Sequence, residues 1–208
     1  MKKTLTALVI ALSAFGFAQQ ASAVVLDFET LAHNDDGVVD LGNSYTEDGF
    51  VLTDITTTSN FGFSTYGTQN AFFSGSTSLI NNDDAGITQL KQVNGGLFAL
   101  HSISLSTLFP GLTPDGSDVT FTGVKADNSI VSQTFHIADG LTGASQASFA
   151  FASTFTNLVS VTWTDSSLYH QFDNIDVTPV PEPDSLALML AGFGFMGFMA
   201  RRRLNAQR

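Results

Sequence analysis

The chain has 208 residues, with 8 basic and 19 acidic side chains, a formal net charge of −11 and no cysteine. Without Cys there is no disulfide scaffold, thiolate zinc site or cysteine nucleophile. An acidic excess this strong, with a pI near 4.4, excludes nucleic acid as a partner, because phosphate must be met by clustered Lys and Arg.

Lys2 and Lys3 open the chain, an apolar run covers residues 5–18, and Ala21-Ser22-Ala23 follows. A charged start, a short apolar stretch and small residues at the two positions a signal peptidase inspects predict a secretory signal helix over residues 1–23. Cleavage is expected between Ala23 and Val24, which sends the mature chain out of the cytoplasm.

From Val24 onward the dominant signal is alternation, with Ser and Thr on one face and Val, Ile, Leu and Phe on the other. Strands are expected at 24–29, 49–54 and 71–74. Ile103, Leu105, Thr107 and Phe109 make a half-buried strand closed by Pro110-Gly111. In 117–124, Val119 and Phe121 oppose Asp118, Thr120 and Thr122; in 131–137, Val131, Phe135 and Ile137 share a face. With Asp127-Asn128-Ser129 between them, the two runs predict a hairpin. Further strands are expected at 147–152 and 172–178. In a strand over 159–164, Val159, Val161 and Trp163 face one way and Ser160, Thr162 and Thr164 the other, which makes Trp163 a core residue. No stretch of the body carries a helical stripe. Gly, Asn, Asp and Pro clusters mark loops at 34–37, 81–86, 94–96 and 114–116. The reading is an all-β domain over 24–178, an antiparallel β-sandwich of jelly-roll type, with a partly open barrel as the competitor.

The end of the chain changes character over 179–208. Val180-Pro181-Glu182-Pro183-Asp184 leads into residues 185–200, which hold no charge, and then Arg201-Arg202-Arg203. Sixteen residues of helix span about 24 Å, a little short of a ~30 Å hydrocarbon core. Local thinning covers such a shortfall, and the arginines stay on the cytoplasmic side, so a transmembrane helix is expected at 185–200. Without the two ends, Lys91 and Lys125 face 17 acids, a body charge of −15. The positive mean hydropathy of +0.17 is raised by the ends.

The order of Pro181-Glu182-Pro183, short apolar span and Arg201-Arg202-Arg203 resembles the PEP-CTERM sorting signal of Gram-negative bacteria that make exopolysaccharide. That resemblance implies recognition of the triplet by an exosortase, removal of the tail, and a destination on the cell surface or in the extracellular matrix of a biofilm. A span that is never cut is the plain alternative.

The opening Val25-Leu26-Asp27-Phe28-Glu29 and the closing Phe172-Asp173-Asn174-Ile175-Asp176-Val177 resemble the first and last strands of galactose-binding-like jelly rolls found in carbohydrate-binding modules. The resemblance implies neighbouring terminal strands and, as in many such modules, a structural Ca2+ near their junction. Its candidate ligands are Glu29 and Asp173, with Asp27 expected on the side of Glu29; solvated acids at strand ends are the alternative. Calcium takes six to eight hard oxygen ligands, which an acid-rich body supplies. The run 81–86 looks like a calcium loop, but position twelve is Gln92 where an EF-hand needs a bidentate Glu, so it is taken as an ordinary loop.

No G-x-S-x-G, H-E-x-x-H or phosphate-cradling glycine loop is present. His33, His101, His136 and His170 lack metal-ligand spacing. Seventeen acids leave a glycosidase-like carboxylate pair open. Sugar binding would use exposed rings, for which Tyr45, Tyr66 and Tyr169 are the candidates. The expected function is a secreted, exosortase-sorted, non-catalytic surface or matrix protein touching exopolysaccharide. A carbohydrate-active enzyme on the same scaffold and a purely structural matrix component are the rivals.

Overall fold

Alternation is realised most fully in the expected hairpin. Over 117–125 and 130–137 the inward residues Val119, Phe121, Phe135 and Ile137 are buried while Asp118, Thr120 and Thr134 are exposed. The turn closes because Asp127 accepts the Ser129 N–H and hydroxyl and Asn128 takes a left-handed φ of 63°, a conformation Asn tolerates. The structure is a computed structural model, and it describes residues 22–56, 61–109, 115–138, 146–164, 169–180 and 183–206.

Among the described residues there are thirteen strands. They are β1 (Val24–Leu26), β2 (Val38–Gly42), β3 (Ser44–Glu47), β4 (Phe50–Asp54), β5 (Phe63–Tyr66), β6 (Leu79–Asn81) and β7 (Ile87–Gln92), followed by β8 (Phe98–Thr107), β9 (Ser117–Lys125), β10 (Ile130–Ile137), β11 (Ala147–Ala150), β12 (Leu158–Thr164) and β13 (His170–Pro179). A 3-10 turn covers Glu29–Leu31, and a helix, α1, covers Pro183–Ala206.

All strand ladders are antiparallel, and they fall into two groups. One runs β10-β9-β12-β7-β4-β3; the other runs β2-β5-β6-β13-β8-β11, with β1 alongside β13. The groups are joined through the single pair Leu158 and Phe98. Rings from the two groups meet edge to face: Trp163 of β12 lies 5.3 Å from Phe172 of β13, and Phe50 of β4 lies 5.5 Å from Phe98 of β8. The body is thus an all-β antiparallel sandwich whose core cluster lies wholly within residues 26–177. Val24 pairs with Val177, so the first and last strands are neighbours.

Several expected elements are corrected. The strand expected at 24–29 stops at Leu26, because Phe28 takes a left-handed φ of 56° and the 3-10 turn follows. Residues 71–74 form no strand: Asn70 accepts the Phe72 N–H on its side chain and the Phe73 N–H on its carbonyl, which curls the chain. In β12 a bulge between Leu158 and Ser160 turns Val159 outward, 37% exposed, while Leu158, Val161 and Trp163 are buried. Of the run 81–86, Asn81 belongs to a strand and 82–86 form the expected loop, with Asp84 and Ala85 exposed. Asn81 ends β6, and its side chain donates to Asp54 and Thr88 and accepts from the Asp83 N–H, all four residues being buried. Strands β2, β3, β5, β6 and β7 were not anticipated. Pro110, Gly111 and Pro114 lie outside the described residues.

Helix α1 begins at Pro183, whose fixed φ suits a first helical turn. Among the described residues no helix is long and apolar enough to cross a membrane, so the membrane-spanning part of the expectation at 185–200 is not carried by the structure. The uncharged run ends at Arg201, and Arg201 and Arg202 are exposed.

Candidate functional site

Two features meet on the second sheet, and one loop, residues 70–78, serves both. The first is an acid pair. β13 carries Phe172 into the core and therefore turns Gln171 and Asp173 to the opposite face, where both are buried. Loop 70–78 covers them: the Ser78 hydroxyl donates to Gln171 at 2.5 Å, and the Gln171 amide donates to the Phe72 carbonyl at 2.8 Å. Glu29, swung out of the strand by the left-handed Phe28, reaches the same loop. It accepts from the Ser76 hydroxyl at 2.9 Å, the Thr77 N–H at 3.1 Å and the Thr77 hydroxyl at 3.1 Å.

Asp173 completes the pair. It accepts from the Asn174 N–H and side-chain amide, and Asn174 is left-handed with φ 49°. A left-handed residue therefore stands immediately before Glu29 and immediately after Asp173. Such a conformation costs a non-glycine residue about 1–2 kcal/mol, and it persists where surrounding contacts fix it. Burial pushes the Asp173 carboxyl up to about 6, against hydrogen bonds from Ser76, Asn174 and Gln146 and with the help of the Glu29 charge. Burial would raise Glu29 too, but its bonds from Thr77 and Ser76 hold it below the usual range. Glu47 is raised by burial, which outweighs its bond from the Phe28 N–H, with Asp27, Asp48 and Asp173 adding repulsion.

The structure thus brings Glu29 and Asp173 together and separates Asp27 from them. Asp27 caps the Glu29 N–H at 3.1 Å, while its charge acts on Tyr45 and Glu47; a turn, not a shared strand face, relates it to Glu29. By donor type, two carboxylates with the Ser76 and Thr77 hydroxyls suit a hard cation such as Ca2+. Among the described residues no group of three or more His, Cys, Asp or Glu forms. Ser76, Thr77 and Gln146 were missed from the sequence; Thr77 and Gln146 lie 48 and 117 positions from Glu29, and no local motif marks them.

The second feature is an aromatic ribbon. Tyr66 at the end of β5 touches Phe72 at 5.5 Å, Phe72 touches Phe109 at 5.4 Å, and Phe109 touches Tyr169 at 6.3 Å. Phe72 is 37% exposed and the other three are half-buried. Tyr66 and Tyr169 are brought into one row; Tyr45 is not, since its hydroxyl bonds Thr30 and its ring packs edge-on to Phe28. Phe72 and Phe109 were unmarked because the phenylalanines read as core. Trp163 is buried, as expected.

Of the processing residues, Val24 is the first residue of β1 and Ala23 is exposed. Ala21, Pro181 and Glu182 lie outside the described residues. Pro183 opens α1, and Arg203 lies within it.

The molecule is therefore an all-β body followed by a basic-ended helical tail. Residues 179–203 match the family model of the PEP-CTERM protein-sorting motif. The chain carries that motif, which implies exosortase processing and a cell-surface or extracellular destination. No curated protein matches the chain significantly. Among solved structures, the body resembles a mutant of the carbohydrate-binding module CBM29-2 at 13% identity, covering 77% of this chain and 93% of that one, with a TM-score of 0.37. It also resembles the xylan-binding CBM22-1 domain of Paenibacillus barcinonensis Xyn10C at 11% identity, covering 80% and 99%, with a TM-score of 0.37. At such values the likeness says nothing of a ligand.

Proposed function

We propose that the protein is a secreted, exosortase-sorted β-sandwich that acts without catalysis at the cell surface or in the extracellular matrix of a biofilm, binding exopolysaccharide through the ribbon Tyr66, Phe72, Phe109 and Tyr169. The observation that carries this reading is a row of four rings joined by three consecutive contacts, with a tyrosine at each end. Ring faces stack on the apolar C–H face of a pyranose, and the tyrosine hydroxyls add polar contacts. The Glu29 and Asp173 pair does not support a glycosidase, because Asp173 has no exposed surface.

In this reading a Ca2+ ion held by Glu29 and Asp173 is structural. It would neutralise two like charges beneath loop 70–78 and thereby fix the loop that carries Phe72. A signal peptidase would remove residues 1–23, and α1 would act as a transient anchor with Arg201, Arg202 and Arg203 on the cytoplasmic side.

Phe72→Ala and Tyr169→Ala, made in the body at residues 24–180, are each expected to weaken polysaccharide binding at least tenfold, about 1.4 kcal/mol, on a glycan array run with and without EDTA. Unchanged binding in both variants would sink the ribbon. The sorting part is tested separately by mass spectrometry of the mature protein from a host with active exosortase; a tail still ending at Arg208 counts against processing.

A further inference from the structure

The first sheet carries a feature that the ribbon does not use. Strand pairing places Ser132 opposite Thr122, Thr122 opposite Thr162, Thr162 opposite Gln89, Gln89 opposite Thr53 and Thr53 opposite Ser44. These six side chains form one unbroken rank across all six strands, β10-β9-β12-β7-β4-β3. The adjacent rank, Val131, Gly123, Val161, Leu90, Leu52 and Tyr45, is in the same register. It faces the core, where Val161, Leu90 and Leu52 are 0–1% exposed, so the hydroxyl and amide rank faces outward. Ser44 and Ser132 are exposed and the four between them half-buried.

The rank is uncharged in a body of charge −15. Its polar groups are also largely unused. Thr162 and Ser132 make only long bonds to backbone carbonyls, at 3.4 and 3.2 Å. The side chains of Thr122, Gln89, Thr53 and Ser44 make no hydrogen bond among the described residues. Strands lie about 4.8 Å apart, so six of them present a polar line about 24 Å long, with a step close to the length of one sugar unit in an extended polysaccharide. Each position both donates and accepts, which matches sugar hydroxyls. An anionic polymer would be repelled by the net charge of the body, and a neutral one would not.

We propose that this rank is a second polysaccharide surface, specific for neutral chains, and that the body bridges two such chains, one on each sheet. The proposal rests on the ribbon reading for its first surface. Bridging follows from placement: the rank lies on the outer face of one sheet, and the ribbon is built from β5, loop 70–78 and the residues just after β8 and just before β13 of the other. A bivalent binder converts weak contacts into strong retention and joins the chains it touches.

The test uses residues 24–180 in native gels containing soluble neutral β-glucan, xylan or galactomannan, with the turbidity of the same mixtures read in parallel. The variants are Thr122→Asp with Thr162→Asp, and Thr122→Val with Thr162→Val, which removes the hydroxyls while keeping β-branched side chains. Wild type is expected to be retarded in at least one gel and to raise turbidity. Both double variants, at unchanged Tm, should lose the turbidity and at least fivefold in retardation. If Phe72→Ala abolishes retardation while the double variants retain it and the turbidity, the second surface is overturned and the ribbon stands. Absence of retardation for every protein overturns both. Self-association of wild type without polysaccharide, lost in the double variants, also overturns the proposal and makes a second copy of the chain the occupant.

Discussion

Replacing Phe172 by Ala is expected to cost about 3–5 kcal/mol, a large fraction of the 5–15 kcal/mol that holds a typical domain together. The Phe172 ring is 1% exposed and touches Trp163 at 5.3 Å, Phe28 at 6.1 Å and Phe63 at 6.2 Å, all near-perpendicular. It therefore ties β12 of one sheet to β5, β13 and the segment after β1 on the other side of the core. Removing it leaves a ring-sized cavity that three large aromatic neighbours cannot fill together. Urea unfolding should show a lowered midpoint at an unchanged slope. Val159→Ala, on the outward side of the β12 bulge, should move the midpoint by no more than about 0.5 kcal/mol.

The second large effect is a stability profile that inverts with calcium. Folding raises the Asp173 carboxyl from an ordinary value of 3.8 to about 6, so between those values the folded body holds more proton than the unfolded chain. Stability from this group is then fully present below about pH 4 and is lost as pH rises through about 6. Glu47, also raised, acts in the same direction. Glu29, lowered, acts in the opposite one, its contribution lost as pH falls below its ordinary 4.5. In EDTA, the Tm should rise by several degrees on acidification from pH 7 to pH 5, since about 1 kcal/mol moves Tm by 2–4 °C in a domain of this size. If Ca2+ binds the ionised pair as proposed, millimolar Ca2+ should raise the Tm at pH 7, and the slope should vanish or reverse. Asp173→Asn should abolish both the EDTA slope and most of the Ca2+ response. A calorimetric scan at pH 5 and pH 7, with and without Ca2+, reads all of these.

What could be read from the sequence depended on whether each strand had one wet and one dry face. The β9–β10 hairpin does, so eight residues of alternation and one Asp-Asn-Ser turn sufficed. β5 does not: Phe63, Ser64 and Thr65 are all buried, with the Ser64 hydroxyl held by Asp40 of β2, so neither face is wet and its pattern looks irregular. β2 fails in the opposite way, with no buried residue. The β12 bulge shifts parity by one residue, which no periodicity can register from a single strand. The acid pair was legible in its two carboxylates, through the likeness of the terminal strands. Its hydroxyl partners come from a Ser-Gly-Ser-Thr-Ser loop that only the fold brings within reach. In the ribbon, Tyr66 and Tyr169 were legible as polar-flanked tyrosines, whereas Phe72 and Phe109 differ from core phenylalanines only in where the chain leaves them.

The pairing of Val24 with Val177, and of β13 with β8, has a consequence for export. A chain threaded N-terminus first through a membrane releases β13 last, yet β13 lies between β8 on one side and β1 and β6 on the other. Until that strand is delivered, β1 has no partner and β8 lacks its longest ladder, so the second sheet cannot close and the closure spans nearly the whole domain. Earlier segments must wait with their phenylalanines uncovered, a state open to aggregation and to chaperones. The moment of folding is thus set by the same few residues that lead directly into the sorting segment, and the sandwich shuts only once the chain has been delivered as far as Val177.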